Sequence, residues 1–320
     1  MGPLLFLFFL VEAAARLSLS DYNRSFEGYP DVVLIGAAKA GTTSLASFLV
    51  NEMKLYVESW DSKEQHFFSY NFNDESFNKY ITGFDTSKVR HGQLPTFDGS
   101  PSYFKVPSSW DNIQGLYSPE NLRKKKFILS LREPIARDVS WFHHYRGICS
   151  QGHAGMCPFP GGPNFHDTFH NMVSRMMHGS SSYILINYLQ RIKKILEVIH
   201  RDQLFILNFE SLTGNTKQDT LNRLLYFLGA GPVYQKSSTL PQSNSAESKC
   251  GENCEERELH EFLCSDFVLL NETYSKMNEG LLEFINSDPD RPISEPEFLP
   301  FKERISEKCK LDDGRLVYFN

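Results

Sequence analysis

Three short stretches combine side chains that bind anions or move protons. The first is LIGAAKAGTTSLASFLV, residues 34–50. An apolar run turns through small residues and becomes a helical pattern. Gly36 and Gly41 have the spacing of the glycines in a phosphate loop of the form G-x-x-x-x-G-K-[ST]. Thr42 stands where that loop has its lysine and Thr43 where it has its Ser/Thr; the lysine here is Lys39. Backbone N–H groups of 39–44 at a helix start form a nest for an anion. Lys39, Ala40, Gly41, Thr42, Thr43 and Ser44 are therefore the candidate phosphate ligands, the last three adding hydroxyls.

The second stretch is FILSLREPIARDVS, 127–140. A nucleoside triphosphatase offers an aspartate at the end of such a strand to hold Mg²⁺. Arg132 stands there instead, which favours a second anion over a metal. An arginine ending a buried strand needs a partner, either a ligand phosphate or an internal carboxylate. Ser140 lies two turns along the next helical pattern. Arg137, one turn before Ser140, reads as facing solvent. No metal site is expected: Cys250 and Cys254 lack a second pair at zinc spacing, and adjacent His143 and His144 do not share a helix face.

The third stretch is KEQHFF, 63–68. Glu64 is a candidate general base, or the ion-pair partner of Lys63. His66 has four compatible roles: orienting that base, touching an acceptor, acting as the base, or a structural hydrogen bond. Phe67 and Phe68 read as core. Lys105, Arg123, Lys124 and Lys249 are candidates for an acceptor groove; the runs 123–126 and 191–194 are candidate local patches for an anionic partner, and each taken alone reads first as a solvated helix end or face.

The elements that position these residues alternate. Strand patterns cover 31–36, 55–58, 95–100, 126–132 and 204–210. Helical patterns cover 41–51, 73–81, 134–146, 182–200 and 216–229, and 258–278 reads as a last amphipathic helix. Strands alternating with helices imply βαβ units and a parallel sheet. Several strands are apolar almost throughout, as in a sheet covered on both faces.

The chain has 320 residues, 41% hydrophobic and 22% charged, with a net charge of −6. Such a balance excludes recruitment of nucleic acid by a global basic field. The apolar run at 4–11 is shorter than the roughly 20 residues that span a bilayer. Followed by Ala13, Ala14 and Ala15, it reads as a secretory signal peptide, a short anchor, or a buried N-terminal element. Asn23 and Asn271 begin N-glycosylation sequons. The cysteines at 149, 157, 250, 254, 264 and 309 fit disulfides in a secreted chain.

Taken in order, these blocks resemble the sulfotransferases that use 3′-phosphoadenosine 5′-phosphosulfate (PAPS). GAAKAGTTSL is similar to the family's 5′-phosphosulfate loop, and LREPIARDVSWFHHY to its 3′-phosphate motif, so Arg132 and Ser140 match the residues that grip that phosphate. KEQHFF resembles the segment carrying the acceptor base in heparan sulfate sulfotransferases; FDGSPSYF (97–104) and LFILNFESLTGNTKQDTLNRLLYFLG (204–229) resemble later blocks. The likeness covers about 31–280 and is to the Golgi carbohydrate enzymes, such as N-acetylgalactosamine 4-sulfate 6-O-sulfotransferase, then the heparan sulfate 3-O- and N-sulfotransferases. Gly99 stands where the 3-O enzymes carry a lysine, and Ser69 where they carry an aspartate.

The resemblance implies an α/β, P-loop NTPase-like sandwich with a central parallel sheet flanked by helices. It implies one sulfotransferase domain over 21–320, after a signal peptide or anchor in 1–20, in the Golgi lumen. Catalysis would rest on Lys39, Glu64 and His66, with PAPS as donor and a glycosaminoglycan of chondroitin or dermatan type as acceptor. The rival readings are a heparan sulfate or protein-tyrosine sulfotransferase, a P-loop kinase or NTPase, and a non-catalytic glycan-binding relative.

Overall fold

The computed structural model describes residues 28, 30–52, 57–58, 64–84, 95–150, 168–179, 185–230, 261–301 and 315–317. The segment 1–20, Asn23, Lys63, Lys249 and the cysteines at 157, 250, 254 and 309 lie outside the described residues.

Five strands form one sheet: β1 (Val32–Gly36), β2 (Val57–Glu58), β3 (Thr96–Asp98), β4 (Lys126–Leu131) and β5 (Leu204–Asn208). Their spatial order is β2-β3-β1-β4-β5, and every neighbouring pair is parallel. Alternate side chains feed two cores. Val33, Ile35, Leu129 and Ile206 face one; Val32, Leu34, Ile128 and Leu207 face the other. Both faces are covered, which is why these strands read as continuous apolar runs.

After β1 come α1 (Thr42–Ser47) and a turn of π-helix (Phe48–Glu52). After β2 come α2 (Phe67–Tyr70) and α3 (Asp74–Thr82), the latter capped by Asn73, whose side chain accepts from Ser76 N. Between β3 and β4 lie three short helices absent from the sequence reading: α4 (Ser102–Lys105), α5 (Ser108–Leu116) and α6 (Pro119–Arg123). A proline opens each, with Pro101 and Pro107 at caps and Pro119 at the first turn.

β4 leads into α7 (Pro134–Ser150). Glu133 caps it with both carboxylate oxygens, accepting from Ile135 N at 2.9 Å and Ala136 N at 2.6 Å. α8 (Phe169–Met177), α9 (Tyr188–Leu196) and α10 (Lys217–Phe227) follow. The helix expected from 182 begins only at Tyr188, where Asn187 caps it.

The helix expected over 258–278 is corrected. Glu261–Leu263 is a strand, β6, paired antiparallel with β7 (Arg315–Val317). α11 begins at Cys264 and runs to Met277, followed by α12 (Leu281–Ser287). Pairing with a distant strand overrides local helical periodicity there. Glu295 then ties the C-terminal segment to the sheet: it is buried, pairs with Arg201 at 2.5 Å, and accepts from Ile206 N at 2.9 Å. Cys149 and Cys264 are both disulfide-bonded.

Candidate active site

Parallel strands place all their carboxyl ends at one edge, where ligands bind in open α/β sheets. The loop after β1 is held there by close contacts. Gly36 has φ 151°, and a Cβ on it would lie 2.6 Å from Phe104 Cβ; Gly41 has φ 75°, and a Cβ would lie 2.7 Å from the Phe209 ring. Only glycine satisfies both demands. Ala37 N donates to Ser130 O at 2.6 Å, and Ser130 Oγ donates to Ala40 O at 2.6 Å. The loop is thus fastened to β4. The ladder of α1 begins with Leu45 N donating to Gly41 O at 3.0 Å. The amides of Thr42, Thr43 and Ser44 precede it, at the electropositive end of the turn.

Arg132, just past β4, reaches back to this loop. Its Nη1 donates to the carbonyl of Lys39 at 3.1 Å, and its guanidinium lies 4.9 Å over Phe209. Phe209 is the same ring that Gly41 approaches. Arg132 and Ser140 are both half-buried, on the loop before α7 and two turns into it. Two cation-bearing motifs distant in sequence therefore meet at one sheet edge.

The second half of the site follows β2. Glu64 Oε2 lies 3.4 Å from His66 Nε2, and both side chains are about one-third exposed, at 35% and 32%. His66 Nδ1 is 2.7 Å from Ser102 Oγ, which is 2.7 Å from Ser69 Oγ. His66 takes a left-handed backbone conformation, φ 54°. Its own N–H donates to Ser100 Oγ at 3.0 Å, and Ser100 Oγ donates to the buried Asp98 at 2.5 Å. Asp98 also accepts from Tyr80 and Tyr103 at 2.9 and 2.8 Å. Burial raises its pKa, against the three hydroxyl donors and the nearby His66. Among the described residues, Lys39 and His66 are the non-glycine residues with positive φ. Such conformations persist where surrounding structure imposes them, and they cluster at functional sites.

The model of the sulfotransferase domain matches residues 29–240, which spans every motif just placed. The chain belongs to the sulfotransferase family. The curated Caenorhabditis elegans protein "Bifunctional heparan sulfate N-deacetylase/N-sulfotransferase 1" is 29% identical over 125 residues, 38% of this chain and 14% of that protein. The chain thus matches only a small part of that relative's length. Among solved structures, a sulfotransferase from Alicyclobacillus acidocaldarius aligns with TM-score 0.49 at 18% identity, covering 78% of this chain and 96% of that one. Mouse sulfotransferase SULT7A1 complexed with PAP aligns with TM-score 0.36 at 14% identity, over 90% of this chain and 78% of that one.

In this sulfotransferase, the expected P-loop NTPase-like sandwich is present: a central parallel sheet, helices on both faces and the loop after β1. Phe67 and Phe68 are core, each 1% exposed. Three sequence readings are corrected. Arg137 does not face solvent: it is buried, bonded through Nε and Nη2 to Asp138 and through Nη2 to Tyr274. Arg123 and Lys124 sit before β4, at the opposite edge of the sheet, where they meet Asp202 and Glu120. They cannot line a groove beside Lys39. Lys105 can, as the last residue of the helix that carries Ser102. Among the described residues, no group of three or more His, Cys, Asp or Glu gathers to hold a metal ion, and no helix is long and apolar enough to cross a membrane.

The sequence reading missed Asp98, Ser100, Ser102 and Ser69 as supports of His66. Its one available signal was an acid between apolar Phe97 and the small residues 99–100, a place where a carboxylate needs partners.

Proposed function

We propose that this sulfotransferase moves a sulfuryl group from PAPS to a hydroxyl of a glycosaminoglycan, with chondroitin or dermatan chains favoured. The observation carrying the donor assignment is the Arg132–Lys39 contact, which makes the loop and the end of β4 one anion-binding surface. The residues fit such a donor. The loop 39–44 would hold the 5′ end, and Arg132 with Ser140 the 3′-phosphate. PAPS supplies the sulfuryl group together with its leaving phosphate.

Lys39 places a point cation beside the bond that breaks, where negative charge grows. Glu64 accepts the proton of the acceptor hydroxyl as its oxygen forms the new S–O bond. His66 orients that carboxylate. Ser69 Oγ donates to the His66 carbonyl at 3.1 Å, so the chain runs from His66 Nδ1–H through Ser102 Oγ to Ser69 Oγ, and the ring presents Nε2 to Glu64 as an ion-pair partner when doubly protonated. Because a guanidinium occupies the position of a metal-holding aspartate, transfer should survive chelators.

A lumenal, secretory setting is supported by the apolar run at 4–11, by the exposed sequon Asn271 on α11, and by disulfide-bonded Cys149 and Cys264. The named N-sulfotransferase relative keeps heparan-type chains as the second acceptor. Purified protein is incubated with radiolabelled PAPS and a panel of desulfated glycosaminoglycans, with and without EDTA, and the products are resolved as disaccharides. Label on an O-sulfated chondroitin disaccharide is expected; label on heparan-type chains alone would move the acceptor, and Mg²⁺-dependent ATP turnover without sulfuryl transfer would overturn the reading.

A further inference from the structure

Arg132 projects from the two-residue connection between β4 and α7. The last rung of β4 with β5 pairs Leu131 with Asn208, so the Arg132 carbonyl lies beyond the ladder. Tyr188, the first residue of α9, supplies its donor: Tyr188 OH donates to Arg132 O at 2.9 Å. The Tyr188 ring is fully buried. It lies 5.7 Å from the ring of Phe104, the residue that hems in Gly36. Tyr188 thus meets the packing partner of the loop on one side and the arginine after β4 on the other.

Tyr188 is itself held from α11. Its N–H donates to Oδ1 of Asn278, just past the end of α11, at 2.9 Å, and Asn278 Nδ2 donates to Tyr274 O at 3.1 Å. Arg137 of α7 lies over both rings, its guanidinium carbon 5.5 Å from the centre of Tyr188 and 5.9 Å from that of Tyr274. Arg137 Nη2 donates to Tyr274 OH at 3.1 Å, and Tyr274 OH donates to Asp138 Oδ2 at 2.5 Å. Tyr188, Tyr274, Arg137 and Asp138 are each at most 5% exposed. One tyrosine therefore fixes the peptide that follows Arg132, and the other fixes the start of the helix that carries Ser140.

Phenylalanine rings would fill the same space. What the two hydroxyls add is direction, since a hydrogen bond constrains angle as well as distance. Groups that grip a ligand work when packing and hydrogen bonds behind them hold them to within about 0.5 Å. We propose that Tyr188 and Tyr274 are positioning residues for the 3′-phosphate clamp: they set the direction of Arg132 relative to Ser140 without touching the donor. The inference rests on reading Arg132 and Ser140 as the 3′-phosphate ligands. It adds that half of the brace comes from α11, outside the residues 29–240 that match the sulfotransferase domain. The C-terminal region of this chain would then complete its donor site.

The test titrates 3′-phosphoadenosine 5′-phosphate (PAP) and adenosine 5′-phosphate into the full chain as wild type, Tyr188→Phe, Tyr274→Phe, Arg132→Ala, and the double variant of Arg132→Ala with Tyr188→Phe. Denaturant unfolding of each is followed in parallel. Each phenylalanine variant should lose about three- to tenfold of the preference for PAP, the scale of one hydrogen bond. With Arg132 already removed, Tyr188→Phe should change the ratio no further, because its effect passes through that arginine. Tyrosines that only stabilised the fold would lower the denaturation midpoint and leave the ratio intact, so an unchanged ratio in either folded variant overturns the inference. An equal loss from Tyr188→Phe with and without Arg132 overturns it too. If one phenylalanine variant does not fold, the other decides alone. An Arg132→Ala ratio equal to wild type removes the reading of the clamp and the inference with it; a ratio that falls in Arg132→Ala but not in the tyrosine variants sinks the inference alone.

Discussion

Arg132 Nη1 donates to the backbone carbonyl of Lys39 across 3.1 Å, joining residues 93 apart in the chain. The contact means that neither of the two motifs proposed to bind the donor is independent of the other. β1 and β4 are neighbours in the sheet, so the loop after one and the arginine after the other emerge side by side. With Lys39 held at φ 67°, the fold fixes the backbone from which the lysine side chain projects.

Lys39→Ala should therefore lower the rate of sulfuryl transfer far more than the affinity for PAP. Removing one charge-stabilising group from a transition state typically costs about 10²–10³ in rate. Single-turnover kinetics alongside PAP titration checks this. Full transfer with unchanged donor binding would take the role from Lys39.

In the proposed mechanism Ser102 acts on the reaction only through His66, so its effect should appear in a pH profile. Ser102→Ala removes the 2.7 Å contact to Nδ1 and with it the acceptor that fixes the Nδ1 proton and the ring face turned toward Glu64. The expected outcome is a displaced acidic limb in kcat, with PAP affinity kept. Ser102→Thr, which restores the hydroxyl, should return the limb. A uniform fall in kcat at every pH, unrescued by threonine, would mark Ser102 as merely structural.

Asp98 accepts only hydroxyl donors, from Ser100, Tyr80 and Tyr103. Asp98→Asn turns an acceptor into an amide that opposes at least one of them, at a cost of about 1–3 kcal/mol. The sign of the pH effect follows from its raised pKa. Between the ordinary carboxylate range and that higher value, the folded state binds more protons than the unfolded state. This group's contribution to stability is then present at acid pH and lost as pH rises through the window. Denaturant unfolding across that range should show the slope in wild type and not in Asp98→Asn.

Glu295 is buried against Arg201, and its removal strands a guanidinium in the core. Glu295→Ala should destabilise by about 3–5 kcal/mol, read as a lower denaturation midpoint. A shift below about 1 kcal/mol, the range of an exposed pair, would show that the segment is not tied down through this contact.

Much of this was legible in the sequence because the signals are local. Each strand is a short run of apolar residues, and Gly36 and Gly41 mark a turn whose contacts, Phe104 and Phe209, leave no room for a side chain. The supports were not legible, because their partners come from elsewhere. Asp98 meets Tyr80 and Tyr103, and Arg137 reads as an ordinary charged helix residue until Asp138 and Tyr274 are seen to enclose it. Arg123 and Lys124 are different: they precede β4 rather than follow it, which already assigns them to the wrong edge. β6 pairs with β7 at 315–317, and no local pattern foretells a partner so far along the chain.

The central claim is that one donor spans the loop and the Arg132–Ser140 pair. The direct measurement compares 3′-phosphoadenosine 5′-phosphate with adenosine 5′-phosphate, which lacks only the 3′-phosphate, in wild type and Arg132→Ala. Because Arg132 also braces the loop, its loss weakens both nucleotides; the ratio of their affinities isolates the 3′-phosphate. Wild type should prefer the 3′-phosphorylated nucleotide, and Arg132→Ala should reduce that preference by roughly 2–5 kcal/mol. An unchanged ratio would show that Arg132 does not touch the 3′-phosphate, and the two motifs would no longer describe a single donor site.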